Sequence, residues 1–411
     1  MLVRYLKNIK SICRHPILYS KFILFENSIN KNTWNLQKDA LVRMSTMVDD
    51  DKFNYKNGIL NSTNVPISYD VQLLQQKLFR DYYNKYISND TLRILIHIPS
   101  SQHSPGGYSL FNNLLQSLKF VGVKCESLPW DRNVKSYLDT FKPTILLSSD
   151  HSSYLSRIDW KAVESYRVKN YLRIGLTASL QEYGNTPLKK RLIWAKNNNI
   201  DFYYSFRTTK YHKSRKEYFP FFENGYKIFS VEFGANPLLY YPITGVEKDL
   251  NFVFLASSNS DKWKRYFQYM SKILKKYDGL IDGPGWSRIN NWLPPHAHKY
   301  VYARAKVGLN LHISDSIDYP SELNERTYIL AACGVPQLVD NAMLLRERFD
   351  LKNLFIAEKP KEYEDLFEYI ITHTEVAKEK AKGALKEVYE KHTTVHRADS
   401  FIKELLTIIN L

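Results

Sequence analysis

Short apolar runs alternate with amphipathic stretches from residue 92 to residue 205. The amphipathic stretches repeat apolar residues at helical spacing and predict helices at 108–121, 134–140, 160–166 and 188–197. The apolar runs have the length of buried strands and lie at 92–98, 123–128, 143–149, 171–176 and 202–205. Strands that alternate with helices indicate a parallel sheet with helices on both faces.

The same alternation returns after residue 237. Apolar runs predict strands at 251–256, 277–281, 307–312 and 336–339. Helical periodicity predicts helices at 262–276, 322–334, 363–373, 375–391 and 397–411. Gly334 is the expected C-cap of the second of these helices, because glycine adopts the left-handed conformation without a Cβ clash. The predicted fold class is therefore α/β, with one parallel sheet at 91–236 and a second at 237–395.

Residues 1–90 read as an N-terminal extension in front of the first sheet. Apolar and basic residues mix over 1–25, and such a segment either lies on an anionic membrane surface or packs as a helix on the first domain. Residues 38–61 are polar and irregular, and 71–86 has the periodicity of a helix.

The charge balance narrows the class of partner. Among 411 residues, 58 are basic and 42 acidic, so the formal charge is +16, which favours a polyanionic partner. No zinc-finger, homeodomain or RNA-recognition signature accompanies this charge, so lipid headgroups and diphosphates are preferred over nucleic acid. The three cysteines are scattered, which fits a reducing, cytoplasmic compartment and argues against a structural metal site. No window approaches the roughly 18 uncharged apolar residues of a membrane span.

A glycine pair follows the first predicted strand. We read 99–107 as a loop in which Gly106 and Gly107 let the backbone approach a ligand, with free N–H groups of the following helix facing an anion. A plain turn is the alternative.

Basic residues open the helix that follows the strand at 251–256. Lys262, Lys264 and Arg265 stand in its first turns, where cations oppose the helix dipole. A bound diphosphate would relieve that cost, and a solvated basic face is the alternative.

Two further strand ends carry polar or aromatic candidates. Asp150 and His151 end the strand at 143–149, where either side chain is a candidate general base; a helix N-cap at Asp150 or Ser152 is equally consistent. Asp282 is followed by Gly283, Pro284, Gly285 and Trp286, a turn that either lies against a nucleobase or is a tight turn with a core tryptophan.

Charged residues crowd the loop and helix start at 315–326. Glu322 and Glu325 are candidates for hydrogen bonds from ligand hydroxyls, and Arg326 for bidentate phosphate binding. Alternatively, Glu322 complements the helix start and Arg326 forms an ion pair between helices. His312 lies on a buried strand and reads as a core histidine.

Three segments resemble the GT-B glycosyltransferases, in particular the branch with a spore-maturation-type C-terminal module. They are 324–340, which contains Asn-Glu-Arg-Thr-Tyr-Ile and Ala-Cys-Gly and ends at Asp340; 233–242, Phe-Gly-Ala-Asn-Pro-Leu-Leu-Tyr-Tyr-Pro; and 251–257, Asn-Phe-Val-Phe-Leu-Ala-Ser. The resemblance covers residues 230–345. It implies two Rossmann-like domains facing a cleft, with the acceptor on 91–236, the donor on 237–395, and a last helix at 396–411 crossing back to the first domain.

The resemblance also implies roles for individual residues. Many retaining relatives carry two glutamates eight positions apart, where this chain has Ser321 and Ile329, so Glu322 or Glu325 would have to substitute. The implied donor-binding residues are Gly106, Gly107, Lys262, Arg265, Gly283, Gly285, Trp286, Glu322, Asn324, Arg326 and Thr327, and the candidate catalytic residues are Asp150, His151 and Glu325.

The expected activity is transfer of a sugar from a nucleotide-sugar to a hydroxyl of a glycan or lipid-linked acceptor. The basic side chains would replace a divalent cation, so neither metal nor cofactor is expected. From the charge and the N-terminal segment we expect a cytoplasmic protein on the inner face of a membrane. Its expected role is in surface polysaccharide synthesis. Ile329 motivates the alternative of a non-catalytic sugar- or nucleotide-binding protein, and a basic scaffold on nucleic acid is a third reading without a supporting motif.

Overall fold

The computed structural model describes residues 16–45, 67–180, 185–258 and 260–409. These residues form two compact units. The unit that contains 77–236, 320–322 and 392–411 is called the N-terminal domain below. The other, which contains the described residues up to 76 together with 237–319 and 323–391, is called the C-terminal domain.

Three helices precede the first strand: α1 Pro16–Ser28, α2 Lys31–Ser45 and α3 Tyr69–Tyr82. The predicted separate extension is wrong for α1 and α2, which belong to the C-terminal domain. Phe22 of α1 stacks on Trp263 with ring centroids 4.3 Å apart, so the buried aromatic face of α1 decides where the helix packs. Residues 1–15 of the predicted membrane segment and 46–61 of the predicted irregular segment lie outside the described residues.

The N-terminal domain is built on a six-stranded parallel sheet in the order β2-β1-β3-β4-β5-β6. Its strands are β1 Arg93–Ile98, β2 Lys124–Pro129, β3 Ile145–Ser149, β4 Arg173–Thr177, β5 Phe202–Ser205 and β6 Ile228–Ser230. The order reverses at β1, which pairs with both β2 and β3. Ligands of open α/β sheets bind at such a reversal, beyond the carboxyl ends of the strands.

Helices cover this sheet: α4 Pro105–Phe120, α5 Val134–Phe141, α6 Ser152–Leu155, α7 Trp160–Lys169, α8 Leu188–Asn197, α9 Thr209–Ser214 and α10 Phe219–Glu223. A single 3₁₀ turn spans Lys216–Tyr218. Helix α4 begins earlier than predicted, because Ser104 caps it and Pro105 occupies the first helical position, where its missing N–H costs nothing. Gly106 and Gly107 therefore lie in the first helical turn and not in a loop.

The C-terminal domain has a five-stranded parallel sheet in the order β11-β10-β9-β7-β8. Its strands are β7 Leu250–Leu255, β8 Gly279–Asp282, β9 Ala305–Asn310, β10 Gln337–Asp340 and β11 Phe355–Ala357. Strands β7, β9 and β10 are neighbours at the centre of the sheet, and their residues are buried almost throughout.

The helices around this sheet are α11 Ser260–Tyr269, α12 Ser271–Lys276, α13 His298–Arg304, α14 Ser314–Asp318, α15 Glu325–Ala332, α16 Leu345–Arg348, α17 Pro360–Thr372 and α18 Thr374–Lys391, with 3₁₀ turns at Pro295–Ala297 and Leu351–Asn353. The predicted helix at 262–276 is two helices that meet at Met270. Gly334 has a φ of +65° and lies two residues beyond the last residue of α15, Ala332, so the predicted left-handed end of this helix is confirmed.

The last helix, α19 Thr394–Ile409, belongs to the N-terminal domain. Asp399 accepts from Lys85 Nζ at 2.6 Å, and Ser117 Oγ donates to Thr394 Oγ1 at 2.6 Å.

Two parallel, helix-covered sheets confirm the predicted α/β class. Among the helices of the described residues, none combines the length and apolar character needed to cross a membrane.

Candidate functional site

Three basic side chains meet the carboxyl edge of the C-terminal sheet. Lys262 Nζ donates to the carbonyl of Leu311 at 3.2 Å, just beyond β9. Arg265 Nη2 donates to Asp340 Oδ2 at 2.7 Å, at the end of β10. The third, Arg326, donates from Nε to the carbonyl of Leu255 at 2.9 Å, at the end of β7. We call Lys262, Arg265 and Arg326 the basic edge; the structure brings these three predicted residues to the ends of neighbouring strands.

Arg326 is a half-buried cation whose partners are all neutral. Besides the Leu255 carbonyl, its Nη1 donates to Asn310 Oδ1 at 3.2 Å, and its guanidinium lies 4.7 Å from the centroid of the Phe254 ring. Among the described residues no carboxylate pairs with it. A guanidinium without a counter-ion at a strand end favours an anionic ligand there, because its charge is desolvated but uncompensated.

Arg265, in contrast, shares a buried carboxylate with His312. Asp340 accepts from the His312 backbone N–H at 2.8 Å, and its Oδ1 lies 2.6 Å from His312 Nδ1. Burial alone would raise the pKa of Asp340, but His312 and Arg265 together lower it. Asp340 therefore stays ionised and holds Arg265 in position, and His312 is the core histidine that the sequence indicated.

Two predicted donor-binding residues at the start of α15 are used inside the protein. Asn324 caps the helix by accepting from the Thr327 N–H at 3.1 Å, and it donates to Asn310 Oδ1 at 2.9 Å. The Thr327 hydroxyl is buried between Asn310 Nδ2 at 2.9 Å and His312 Nε2 at 3.0 Å. The prediction that Asn324 and Thr327 bind the donor is wrong for their side chains, because these hydrogen bonds tie the helix start to β9.

The start of α15 also carries Glu325, an acidic candidate of the sequence analysis. Glu325 is the first residue of α15 and is half-buried, where a carboxylate complements the positive helix end. Ile329, one turn further, is buried against the core, so the apolar replacement of the relatives' glutamate packs inside the domain.

The turn after β8 holds two loops together. Gly283 and Gly285 have φ values of 131° and 94°, and a Cβ at these positions would lie 2.5 Å from the Ala256 carbonyl oxygen and 2.7 Å from that of Ser258. The Ser258 N–H donates to the Pro284 carbonyl at 2.8 Å. Both glycines are therefore required by the close approach of the loop after β7, and no ligand is needed to explain them.

Trp286 is part of the core. It is 0% exposed, its Nε1 donates to the Ala256 carbonyl at 2.8 Å, and its ring lies 5.9 Å from that of Tyr266 in a stacked arrangement. The prediction of a nucleobase contact by Trp286 is wrong, because no face of the ring is open to a ligand.

The N-terminal helices brace this turn, which sequence reasoning missed. Gln37 of α2 donates to Asp282 Oδ1 at 2.8 Å, and Glu26 of α1 accepts from the Ser287 N–H at 2.7 Å. Trp34 contacts Trp286 with ring centroids 6.2 Å apart. The signal in the sequence was the set of aromatic residues Phe22, Phe25 and Trp34, because large aromatic side chains are usually buried in a core. The structure buries all three.

A second set of polar residues lines a cavity of about 250 Å³ in the N-terminal domain, beyond β3, β4 and β5. We call it the hydroxyl pocket; its lining includes Ser149, Thr177, Ser179, Ser205 and Tyr218. Arg207 Nε donates to Glu322 Oε2 at 3.3 Å across it, with each side chain 18% exposed. Glu322 thus belongs to the N-terminal domain and not to the basic edge, and Arg207, at the end of β5, is a residue that the sequence reading missed.

Asp150 is a buried structural ion pair. Its carboxylate is 1% exposed, is bonded to Arg191, and accepts from the Ser179 N–H at 3.3 Å. Burial raises the pKa of Asp150 to about 6 although Arg191 opposes the shift. The prediction of a general base at Asp150 is wrong, because both oxygens are engaged and neither reaches the surface.

His151 caps the short helix α6, a role that the sequence reading had assigned to Asp150 or Ser152. Its Nδ1 accepts from the Ser153 N–H at 3.2 Å and lies 2.8 Å from Ser153 Oγ. Burial lowers the pKa of His151, so the ring is neutral near pH 7. A base role is contradicted for Nδ1, which the cap occupies.

The two glycines of α4 differ. The Gly107 N–H is taken by Ser104 Oγ at 3.3 Å, and a Cβ there would lie 2.7 Å from the Tyr154 hydroxyl. Gly107 is therefore explained by the helix cap and by its close packing against Tyr154, and not by the ligand contact that was predicted. A Cβ at Gly106 would meet no atom outside its own helix backbone and chain neighbours within 4 Å, so Gly106 alone of the pair leaves room for a ligand.

Comparisons with known proteins agree with this architecture. Residues 264–403 match a family model described as glycosyl transferase-like. The sucrose-phosphate synthase of Thermosynechococcus elongatus superposes with a TM-score of 0.52 at 12% identity, covering 77% of this chain and 100% of that one. T4 phage BGT, in complex with its UDP-glucose substrate, gives a TM-score of 0.51 at 12% identity, covering 76% of this chain and 99% of that one. No curated protein sequence matches this chain.

The resemblance to GT-B glycosyltransferases is thereby confirmed, and the fold is the GT-B fold of two Rossmann-like domains. The narrower resemblance to the spore-maturation branch stays a prediction.

Proposed function

We propose that this chain, with its GT-B fold, transfers a glycosyl group from a nucleotide-sugar to a hydroxyl group. The observation that carries the proposal is Arg326, a half-buried guanidinium at the carboxyl edge of a parallel sheet whose partners are all neutral. It lies within the region that matches the glycosyl transferase-like model. An anion of two phosphates fits this edge, since Lys262 and Arg265 reach the ends of the neighbouring strands.

The chemistry follows from where negative charge develops. When the bond between the anomeric carbon and the donor phosphate breaks, the leaving diphosphate gains charge, and fixed cations stabilise that charge without reorganisation. Arg326 is suited to this role because its planar guanidinium offers paired N–H donors to phosphate oxygens. Metal independence is part of the proposal, since the basic edge provides the charge that a divalent cation supplies elsewhere.

The donor is proposed to be UDP-linked. One neighbour of the same fold is described with UDP-glucose as its substrate, and this supports uridine over other nucleosides at the same fold position. The acceptor hydroxyl is proposed to enter the N-terminal domain, where the hydroxyl pocket offers several side-chain hydroxyls and the Arg207–Glu322 pair. The candidate base is accordingly an acidic group other than Asp150, with Glu322 and Glu325 as the remaining carboxylates of the predicted set.

Thermal shift and calorimetry with UDP test the donor site. We expect UDP to stabilise the protein and Arg326→Gln to weaken UDP binding by about tenfold or more, the value of a charge-assisted hydrogen bond. Lys272→Gln is the matched control, because it removes one positive charge from an exposed pair with Glu364 on the same domain. Equal UDP affinity of the two variants, each with a melting temperature near that of the wild type, would refute the donor site.

The acceptor is proposed to be a glycan or lipid-linked hydroxyl handled at an anionic membrane face in surface polysaccharide synthesis. Helix α1 supports this, since Ile17 and Leu24 are exposed on either side of Lys21. Deleting residues 1–15 removes the basic start of the segment but keeps Phe22 and Phe25, which are core residues. Loss of sedimentation with anionic vesicles is expected for this deletion, and unchanged sedimentation would exclude the membrane part of the proposal.

A non-catalytic binding protein is the second candidate, and Ile329 favours it. The buried isoleucine removes the carboxylate that relatives place near the donor sugar. Incubation with UDP-sugars separates the two functions. Stabilisation by UDP without hydrolysis or transfer, over a panel of sugars and acceptors, would favour the binding protein.

A further inference from the structure

A second cavity of the N-terminal domain is larger than the hydroxyl pocket and has a different chemistry. It is an open cavity of about 410 Å³ beyond the carboxyl ends of β1 and β2, beside the reversal of strand order. Its lining includes Ile98, Pro99, Tyr108, Asn112, Ser127 and Arg132. None of them lines the hydroxyl pocket. The volume falls within the range of about 300–1,000 Å³ that small-molecule sites occupy.

The floor of this cavity is apolar and rigid. Ile98 and Pro99 end β1, and Pro129 ends β2. Trp130 follows and is 6% exposed. Its ring is stacked 5.2 Å from that of His97 and 4.7 Å from that of His103, and it lies perpendicular to Tyr154 at 4.8 Å, so it supports the floor from inside. The apolar surface that a sugar would contact is therefore that of Ile98, Pro99 and Pro129.

Polar groups without partners surround that floor. Tyr108 and Asn112 are one helical turn apart on α4 and therefore lie on the same face. Within the described residues, the Tyr108 hydroxyl, the Asn112 amide, the Ser127 hydroxyl and the Arg132 guanidinium take part in no hydrogen bond or ion pair. Three of these groups are half-buried and Arg132 is exposed, so a ligand in the cavity can reach them. Hydroxyl, amide and guanidinium groups are donors that bind hydroxyls and carboxylates.

The charge of the cavity is positive. Asp131 is its acidic lining residue, and it already pairs with Arg157 at 2.6 Å. Arg132 is exposed and has no such pair among the described residues, so the Asp131–Arg157 pair and Arg132 together leave one positive charge at the cavity. The hydroxyl pocket differs, because there Arg207 and Glu322 neutralise each other.

We propose that this cavity binds an anionic sugar, a pyranose that carries a carboxylate or a phosphate, with the anion at Arg132 and the ring hydroxyls at Tyr108 and Asn112. The binding of this sugar does not depend on the proposed glycosyl transfer, whose acceptor hydroxyl is proposed to enter the separate hydroxyl pocket. The preference for an anion distinguishes this cavity from a general glycan surface and from the hydroxyl pocket.

Saturation-transfer NMR on the full chain, without any nucleotide, tests the site. The probes are methyl glucuronide, glucose 1-phosphate and the neutral methyl glucoside. We expect both anionic probes to bind more tightly than the glucoside, and the stronger of the two identifies the source of the charge. Arg132→Gln should weaken the anionic probes by roughly fivefold, the upper range for an exposed ion pair, and leave the glucoside unchanged.

Two further variants separate the site from a general charge effect. Arg80→Gln removes the same charge from an exposed residue of the same domain that pairs with Asp81, and no change is expected. Tyr108→Phe keeps the ring and removes the hydroxyl, so all three probes should weaken. Equal binding of charged and neutral probes, no binding of any probe, or equal effects of the Arg132 and Arg80 variants would overturn the proposal. Because UDP is absent, none of these results depends on the donor site.

Discussion

Replacing Gln37 with leucine tests whether the N-terminal helices are an integral part of the C-terminal domain. Gln37 is 3% exposed, and its Nε2 donates to Asp282 Oδ1 at 2.8 Å and to the Asn291 carbonyl at 3.0 Å. Leucine has a similar size but donates no hydrogen bond. In the variant, the Asp282 carboxylate and the Asn291 carbonyl each lose one hydrogen-bond donor.

The expected loss follows from these two contacts. A hydrogen bond to a charged group contributes about 1.5–3 kcal/mol and one between neutral groups about 0.5–1.5 kcal/mol. We expect the free energy of unfolding to fall by about 2–4 kcal/mol at pH 8, where Asp282 is ionised.

The loss should depend on pH. Burial raises the pKa of Asp282 to about 6, above its ordinary value of 3.8, while Gln37 opposes the rise. The stabilising contribution of this raised pKa is complete below 3.8 and is lost as the pH rises through 6. Without Gln37 the folded pKa rises further, so the substitution should cost roughly 1 kcal/mol more at pH 8 than at pH 5.

Urea unfolding at the two pH values measures the effect, and hydrogen exchange of the peptide that contains β8 locates it. Asn32→Ala is the matched control, because Asn32 also reaches from α2 to a carboxylate of this domain, Asp278 at 3.2 Å, but on the exposed surface. The control should lose no more than about 0.5 kcal/mol. Equal losses for the two variants at both pH values would refute the reasoning that α2 is built into the domain.

Three further substitutions probe the packing around the strand ends. Gly175→Ala would place a Cβ 2.4 Å from the Phe202 ring, so the melting curve should show a loss of about 1–3 kcal/mol; an unchanged melting temperature would contradict this close contact. Asp150→Ala leaves Arg191 buried without its carboxylate and should cost about 3–5 kcal/mol in urea unfolding, while a stable variant that lost only turnover would restore a catalytic role. Trp286→Phe should lower stability by about 1 kcal/mol through the lost Nε1 hydrogen bond and leave the UDP dissociation constant unchanged; weaker UDP binding at unchanged stability would indicate base stacking.

The secondary structure of the two sheets was largely readable from the sequence. Strand β5 and helix α8 have the predicted bounds, because continuous apolar runs and helical periodicity are local signals. Strands β6 and β11 were missed, since three residues each are too few for any period to emerge. Part of helix α2 was predicted to be irregular because most of its residues are polar. The buried residues that pack it against the domain, Trp34, Ala40 and Met44, are spread along its length.

The candidate site was predicted less well than the fold. The three cations of the basic edge lie near strand ends. Their position was predictable because a helix that follows a parallel strand begins at the carboxyl edge of the sheet. The polar residues Asp150, Asn324 and Thr327 were assigned to ligands, but each one bonds to the protein itself. Residue type alone did not distinguish a polar group that faces a ligand from one that satisfies a buried neighbour.

By itself the sequence determined that the chain forms two parallel, helix-covered sheets and that basic residues gather at the carboxyl ends of the second one, because both follow from patterns within about 20 residues of each other. The tertiary structure alone decided which polar side chains are used up inside the protein. Gln37 and Asp282 are 245 positions apart, and Asn236 and Asn113 are 123 apart, yet each pair shares a hydrogen bond. Buried polar groups must find partners, and when those partners come from distant parts of the chain only the folded arrangement shows which groups remain for a ligand.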